Sequence, residues 1–356
     1  MEKALTFLLF STLIFLIGCN NDDDDTPAIA DDRSWQLDER FLLETKVQYN
    51  SYATEDNLYF LGRIRFSDVS LENDVETVTQ SSIRLGFDTR KKMPISSKIF
   101  LLGDDHRLGI YRTEFPVTDQ VNLSYDLRRI DPQFNQFEFP PFFRSDAMVI
   151  NSKNECLIPY STDGHWNLLW MQIEIKDISE LGRLDTVSTK IFREPSIYTH
   201  TNSLHVAGDE FFISRFDGTY RINEAQELSK VADAQFTRMF TLGQTSYAVS
   251  ETAAVSQIFI GDQNGNWNQL GNIDRNFSFL KYVPIADQLI GFNNSQLFLI
   301  EEAAGGFDIT ELDNEGLDGN EINSLALFNG RVYASTFSGV FSKAVEDFFE
   351  AKTDEE

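Results

Sequence analysis

Histidine, cysteine and basic side chains are scarce here: 4 His, 2 Cys and 30 Lys or Arg stand against 56 Asp or Glu, a formal net charge of −26. Each scarcity removes a class of function. A chain this acidic with no basic patch cannot bind nucleic acid, which is held by Lys and Arg displacing counterions, and it is repelled by anionic membrane surfaces. Two cysteines leave no disulfide framework if Cys19 is otherwise committed, so the core must hold the fold; 31 Phe, 11 Tyr and 4 Trp supply the apolar area. Cys156, in Glu155-Cys156-Leu157-Ile158, then reads as a small buried hydrophobe. The histidines are His106, His165, His200 and His205. His200 and His205 fall on opposite faces of a strand, a poor zinc pair. A Ser-His-Asp elbow and a phosphate-cradling glycine loop are both missing. Carboxylates are too numerous for spacing to single out a catalytic pair, Asp88, Asp104 and Asp105 included. No catalytic residue, metal site or cofactor is therefore predicted.

The one uninterrupted apolar run is at the amino terminus. Lys3 precedes Leu5 to Ile17, 13 residues broken only by Thr6, Ser11 and Thr12. That is an export signal rather than a membrane span, which needs about 20 residues. It ends in Leu16-Ile17-Gly18-Cys19, directly before Asn20-Asn21-Asp22-Asp23-Asp24-Asp25. The tetrad resembles the lipobox of bacterial lipoproteins, and the resemblance implies cleavage before Cys19 and acylation of its thiol, palmitate among the chains. More than one acyl chain gives stable membrane attachment where one gives only marginal binding. Loss of residues 1 to 18 removes one Lys and one Glu, so the mature charge stays −26. The four aspartates resemble the acidic export signal of Bacteroidota lipoproteins, which implies an outer-membrane protein displayed on the cell surface; a periplasm-facing anchor is the alternative. Residues 19 to 40, polar and acidic with Pro27, read as a flexible tether.

Beyond residue 40 helical periodicity gives way to short apolar runs ended by Asn, Asp or Gly, such as Leu58-Tyr59-Phe60-Leu61 and Glu210-Phe211-Phe212-Ile213. That pattern predicts an all-β sandwich, barrel or propeller. A repeat decides among them. Ser203 to Tyr220 aligns without gaps on Ser324 to Phe341, 121 residues later, and weaker copies lie between. Their closing aromatics Tyr220, Phe259, Phe298 and Phe341 are 39, 39 and 43 residues apart. A period near 40 fits one four-stranded propeller blade. Four blades then occupy residues 197 to 351 and three looser ones residues 42 to 196, with insertions at Leu71 to Thr79 and Phe134 to Phe143. The expectation is a β-propeller over residues 41 to 351, seven-bladed, with six or eight as alternatives. A strand near Phe41 to Val47 is expected to close the ring against Gly339 to Ala344. From Val345 a frayed acidic end is expected, with residues 352 to 356 as the tail.

The units Ile213 to Arg221 and Ala334 to Ser342 resemble the strand–turn–strand units of bacterial seven- or eight-bladed propellers, sensor-type and sialidase-like ones among them. Ser161 to Trp166 and Asp262 to Trp267 resemble the Asp-box turn of sialidase-like propellers, though both depart from its spacing; such a turn is structural. Asp313, Glu315, Asp318 and Glu321 around Gly316 and Gly319 offer oxygen ligands without the spacing of an EF-hand, and a solvated inter-blade loop is expected there. Propeller families include binders, scaffolds and enzymes. The expected function is a lipid-anchored, non-enzymatic module that binds a protein partner or glycan; the alternative is a carbohydrate-active or other hydrolytic propeller.

Overall fold

The computed structural model describes residues 33–353 apart from 42–47, 63–64, 73–74, 83–86, 96–97, 104–106, 113–122, 133–147, 163–164, 177–182, 194–200, 224, 253–254, 263–264, 275–276, 278–279, 305 and 318. The lipobox Leu16-Ile17-Gly18-Cys19, the aspartates Asp22 to Asp25 and Phe134 to Phe143 lie outside the described residues. The compact unit of the chain opens at Trp35.

Seven four-stranded antiparallel sheets follow one another along the described chain. The first comprises Gln48–Ala53, Asn57–Gly62, Arg65–Glu72 and Val75–Ser82. The second comprises Phe87–Ile95, Lys98–Gly103, Arg107–Arg112 and Leu123–Asp126. The third has Val149–Ile150, Glu155–Thr162, His165–Lys176 and Arg183–Arg193. Thr201–Ala207, Glu210–Arg215, Gly218–Ile222 and Leu228–Ala232 make the fourth. Arg238–Leu242, Thr245–Glu251, Ser256–Gly261 and Trp267–Ile273 make the fifth. The sixth runs through Lys281–Ile285, Gln288–Asn293, Gln296–Ala303 and Gly306–Leu312. The seventh takes Ile322–Phe328, Arg331–Thr336 and Val340–Ala344 from the end of the chain and Gln36–Leu37 from its beginning. First strands of successive sheets lie side by side, the second sheet being met through Asn57–Gly62 of the first, and Ile322–Phe328 lies against Gln48–Ala53. The fold is a β-propeller.

Second strands such as Glu210–Arg215, Gln288–Asn293 and Arg331–Thr336 are buried on both faces, which is why they read as continuous apolar runs rather than alternating ones. In Glu210–Arg215, Phe211 and Ile213 face the third blade, packing with Leu157, Leu168 and Trp170. Phe212 points the other way, edge-on to Trp267 of the fifth blade at 5.6 Å. The closing aromatics all stand on third strands, and three of them oppose small residues: Phe259 pairs with Ala248, Phe298 with Gly291 and Phe341 with Ala334. Turn chemistry fixes the hairpins. Asn329 and Gly330 both hold positive φ between Phe328 and Arg331, the two-residue turn whose twist matches its strands.

Ring closure differs from the expectation in its strand. Gln36 pairs with Ser342 and Leu37 with Phe341, so the closing strand is Gln36–Leu37, within the stretch read as tether. Phe41 sits instead in the short helix Glu39–Phe41, its ring edge-on to Phe60 of the first blade at 4.8 Å. A two-residue strand has no periodicity to read; burial of its neighbours holds it. Trp35 is 3% exposed, its N–H donates to Glu315 O at 2.9 Å, and its ring meets Phe348 edge-on at 5.9 Å. A Cβ on Gly316 would stand 2.3 Å from Trp35 O, so only glycine admits the chain there.

Two further expectations are corrected. Leu71 to Thr79 is not an insertion: Leu71 pairs with Glu76 and Glu72 with Val75, the outer hairpin of the first blade. The chain after Ala344 does not fray at once, because Val345–Phe348 is helical, Phe348 is fully buried, and the N–H of Lys352 donates to Glu311 O at 2.9 Å.

Candidate functional site

Inner strands begin, and second strands turn into third strands, on one face of the ring, called the near face below; first hairpins lie on the far face. On the near face two turns occupy equivalent positions, Phe216-Asp217 and Phe337-Ser338. Their phenylalanines, 65% and 46% exposed, are the exposed aromatics among the described residues. The turns are held. Thr336 Oγ1 accepts from the N–H groups of Ser338 and Gly339, both at 3.1 Å, and donates to Gly339 O at 2.9 Å. Tyr220 donates to Asp217 at 2.6 Å, and the guanidinium of Arg215 lies 4.9 Å from the Tyr220 ring.

Inward of these turns, one inner-strand position reaches repeatedly across to the next blade. Ser203 Oγ donates to Phe236 O at 3.0 Å. Lys281, at the matching place in the sixth blade, donates to Ile322 O and Asn323 O, each at 3.3 Å. Ser324 Oγ accepts from Ser51 N at 2.6 Å, across the joint between last blade and first. Arg238 holds the same place in the fifth blade and donates to Thr237 O at 2.9 Å. Burial lowers the Lys281 ammonium below its ordinary range, and the positive charge of Arg238 acts in the same direction; Glu321 opposes both.

Two grooves open on the far face among the described residues. One, of about 350 Å³, lies between third and fourth blades, with Lys153, Glu155, Asp209, Asn223 and Gln226 in its wall. The other, of about 520 Å³, lies between fourth and fifth blades, lined by Phe212, Gln244, Asp262 and Trp267 among others. Glu210 belongs to both. Their polar groups are engaged with one another: Asp209 takes Ser152 Oγ at 2.5 Å, with Lys153 at 3.8 Å, and Arg221 stands 3.3 Å from Glu210.

The residues singled out in the sequence fall mostly into packing. His205 is buried, its Nε2–H donates to Phe236 O at 3.0 Å, and Ser203 Oγ lies 2.9 Å from the same nitrogen. With its proton aimed at that carbonyl, Nε2 cannot accept from Ser203, so the pair is not a nucleophile and base. Burial pushes His205 down to about 4. Cys156 is fully buried between second and third blades, and burial raises its thiol far above the ordinary range, a packing residue as expected. Asp131, also buried, accepts from Tyr160 at 2.8 Å. His106, His200, Asp104, Asp105 and Asp163 lie outside the described residues, and the side chains of His165 and Asp88 are not among those described.

The second Asp-box-like stretch closes the outer hairpin of the fifth blade. Asp262 accepts from the N–H and the side-chain amide of Asn266 at 2.8 and 2.9 Å, and Trp267 packs on Gly261. The first such stretch spans a second-to-third-strand turn instead. The Asp313 loop is no solvated connector: Leu317 is fully buried, Asp313 pairs with Lys343 at 2.8 Å, and Glu315 O receives Trp35. Glu321 lies apart, at the start of the seventh blade, and Asp318 is outside the described residues.

No protein-family model matches the chain, and no curated protein matches its sequence. Solved structures do match. The chain is similar to BamB from Moraxella catarrhalis, with a TM-score of 0.43 and 12% identity over 87% of this chain and 85% of that one. It is similar to the extracellular domain of the two-component system BT4673 from B. thetaiotaomicron, with a TM-score of 0.49 and 9% identity over 87% and 40%. PorZ, a bacterial surface component of the type-IX secretion system of Porphyromonas gingivalis, gives 0.44 and 10% over 90% and 40%. The chain thus spans 40% of the length of the last two. At such identities and scores nothing about ligands or partners passes to this chain.

Proposed function

We propose that this chain is a lipid-anchored cell-envelope propeller that binds a protein partner or glycan on its near face and performs no chemistry. The observation that carries the reading is the contrast between the two kinds of group on the described ring. Groups suited to acid–base or nucleophilic work, His205, Cys156 and Asp131, are buried in packing roles. Groups suited to recognition, Phe216 and Phe337, stand exposed on hydrogen-bonded turns of a closed ring. A rigid scaffold that displays adaptable loops loses little conformational entropy on binding.

Anchoring through Cys19 and surface display directed by Asp22 to Asp25 rest on the sequence. Labelling with a palmitate analogue tests the anchor: wild-type chain should carry the label and stay with membranes, and Cys19→Ala should lose both. Protease shaving of intact cells should digest the ring; protection of the ring would favour the periplasm-facing alternative. Cross-linking in native membranes followed by co-purification should yield a reproducible partner, or glycan-array binding if the chain purifies alone. Turnover of a polysaccharide by the purified chain would overturn the non-enzymatic reading in favour of a hydrolytic propeller.

A further inference from the structure

We propose that Arg238 and Lys281 together form an anion site at the inner edge of the near face, and that its ligand is the carboxylate of an acidic saccharide. This rests on the binding reading above and names the ligand class.

The two cations hold matching positions on neighbouring inner strands, Arg238 opposite Val249 and Lys281 opposite Phe292. Their described partners are uncharged: Thr237 O for Arg238, and Ile322 O, Asn323 O and the Phe292 ring, 5.6 Å away, for Lys281. The chain has 56 acidic side chains to 30 basic ones, so cations ought to find carboxylates easily. Arg40, Arg128, Lys343 and Lys352 all do so. Two partly buried cations at matching positions of neighbouring strands, without a carboxylate partner among the described residues, therefore stand out. The positive charge of Arg238 acts against that of Lys281, and Glu321, which favours it more strongly, makes no hydrogen bond to it among the described residues. An anion bound to both would offset that repulsion and replace 3.3 Å contacts to neutral carbonyls with shorter ion-paired hydrogen bonds. The guanidinium offers a planar fork that fits a carboxylate, and the ammonium adds a point charge.

Charge density selects among anions. A net charge of −26 repels polyanions at long range, but salt screens that field beyond about 8–10 Å. A ligand with isolated carboxylates on a neutral frame is repelled least and gains most at contact. The exposed rings of Phe216 and Phe337, on the same face, favour a frame with apolar surfaces, such as a pyranose ring, over a polyphosphate or sulfated chain.

The test is calorimetric titration of the full-length, detergent-extracted protein with trigalacturonate and with its uncharged methyl ester. The acid should bind at least about tenfold more tightly than the ester, and Arg238→Gln and Lys281→Met should each weaken it by about tenfold, with melting temperatures lowered by no more than about 4 °C. Lys281→Arg, which keeps the charge, should bind within about threefold of wild type. Equal binding of acid and ester, or variants that bind as wild type does, would overturn the site. An acidic peptide that binds more tightly than trigalacturonate, and is lost in the same variants, would overturn the saccharide assignment. A co-purified partner whose binding both variants leave intact would remove this site and leave the binding-module reading standing.

Discussion

Fourth and seventh blades share a local design and differ in how they end. Leu204 pairs with Ile213 as Leu325 pairs with Ala334, and the same register shift falls after Thr201 and after Ile322. Gly218 and Gly339 take the same left-handed place, at φ +133 and +155. The fourth blade then takes its outer strand from the following residues, Leu228–Ala232. The seventh takes Gln36–Leu37 from the far end of the chain. One consequence shows at a single position: Ile222 packs in an apolar core, while Lys343 at the matching place is fully buried and ion-paired to Asp313. The pattern that builds three strands is thus indifferent to where the fourth comes from, and closure needs its own supports.

Those supports should be the weak point of the comparison. The largest expected effect is Trp35→Ala, which empties a buried site and unpins the closing strand; a loss of about 4 kcal/mol is expected in chemical denaturation. Asp313→Ala should cost about 3 kcal/mol, because the Lys343 ammonium is left buried without its counter-charge. The figure sits at the low end because Asp313 itself is partly exposed. Adding Lys343→Ile, which copies the fourth blade, should recover most of that loss, and a double-mutant cycle measures it.

The two glycines sharpen the contrast further. A Cβ on Gly218 would lie 2.3 Å from Ala232 O in a continuous outer strand, whereas on Gly339 it would meet only the flexible Leu37 Cδ1 at 2.9 Å. Gly218→Ala should therefore destabilise by about 2 kcal/mol more than Gly339→Ala, read as the difference between their unfolding free energies. The smallest effect concerns His205, whose counterpart is Ala326. The fold keeps His205 neutral down to about 4, while the unfolded chain takes up a proton near 6.5. Stability from this group is complete above pH 6.5 and is lost as pH falls toward 4, so about 1 kcal/mol should disappear between pH 7 and 5.5. His205→Ala should flatten that part of the pH profile; an unchanged slope would show that other groups titrate there.

Legibility of the site followed the same division. Phe216 and Phe337 sat inside the aligned repeat, yet their exposure follows from turn geometry that no composition displays. His205 is one of four histidines in the sequence, but its role depends on Phe236 O, a backbone atom 31 residues away. Nothing in the spacing of Arg238 and Lys281 pairs them; only the ring sets their strands side by side, with the two residues at matching positions. Asp313 and Glu315 share an oxygen-rich stretch of sequence, and the structure assigns them to ring closure instead.

What the sequence determined by itself is local: the all-β class, the period near 40, the short apolar runs, and the turns at Gly218, Asn329-Gly330 and Gly339. Each depends on residues within one hairpin of each other, where alternation and left-handed turn positions act directly on the backbone. Tertiary structure decided the closing strand at Gln36–Leu37, the pairing of buried Lys343 with Asp313 and the placing of Arg238 and Lys281 on neighbouring strands. These depend on contacts between segments brought together only when the ring closes, and a two-residue strand or a lone lysine carries no pattern that announces its partner.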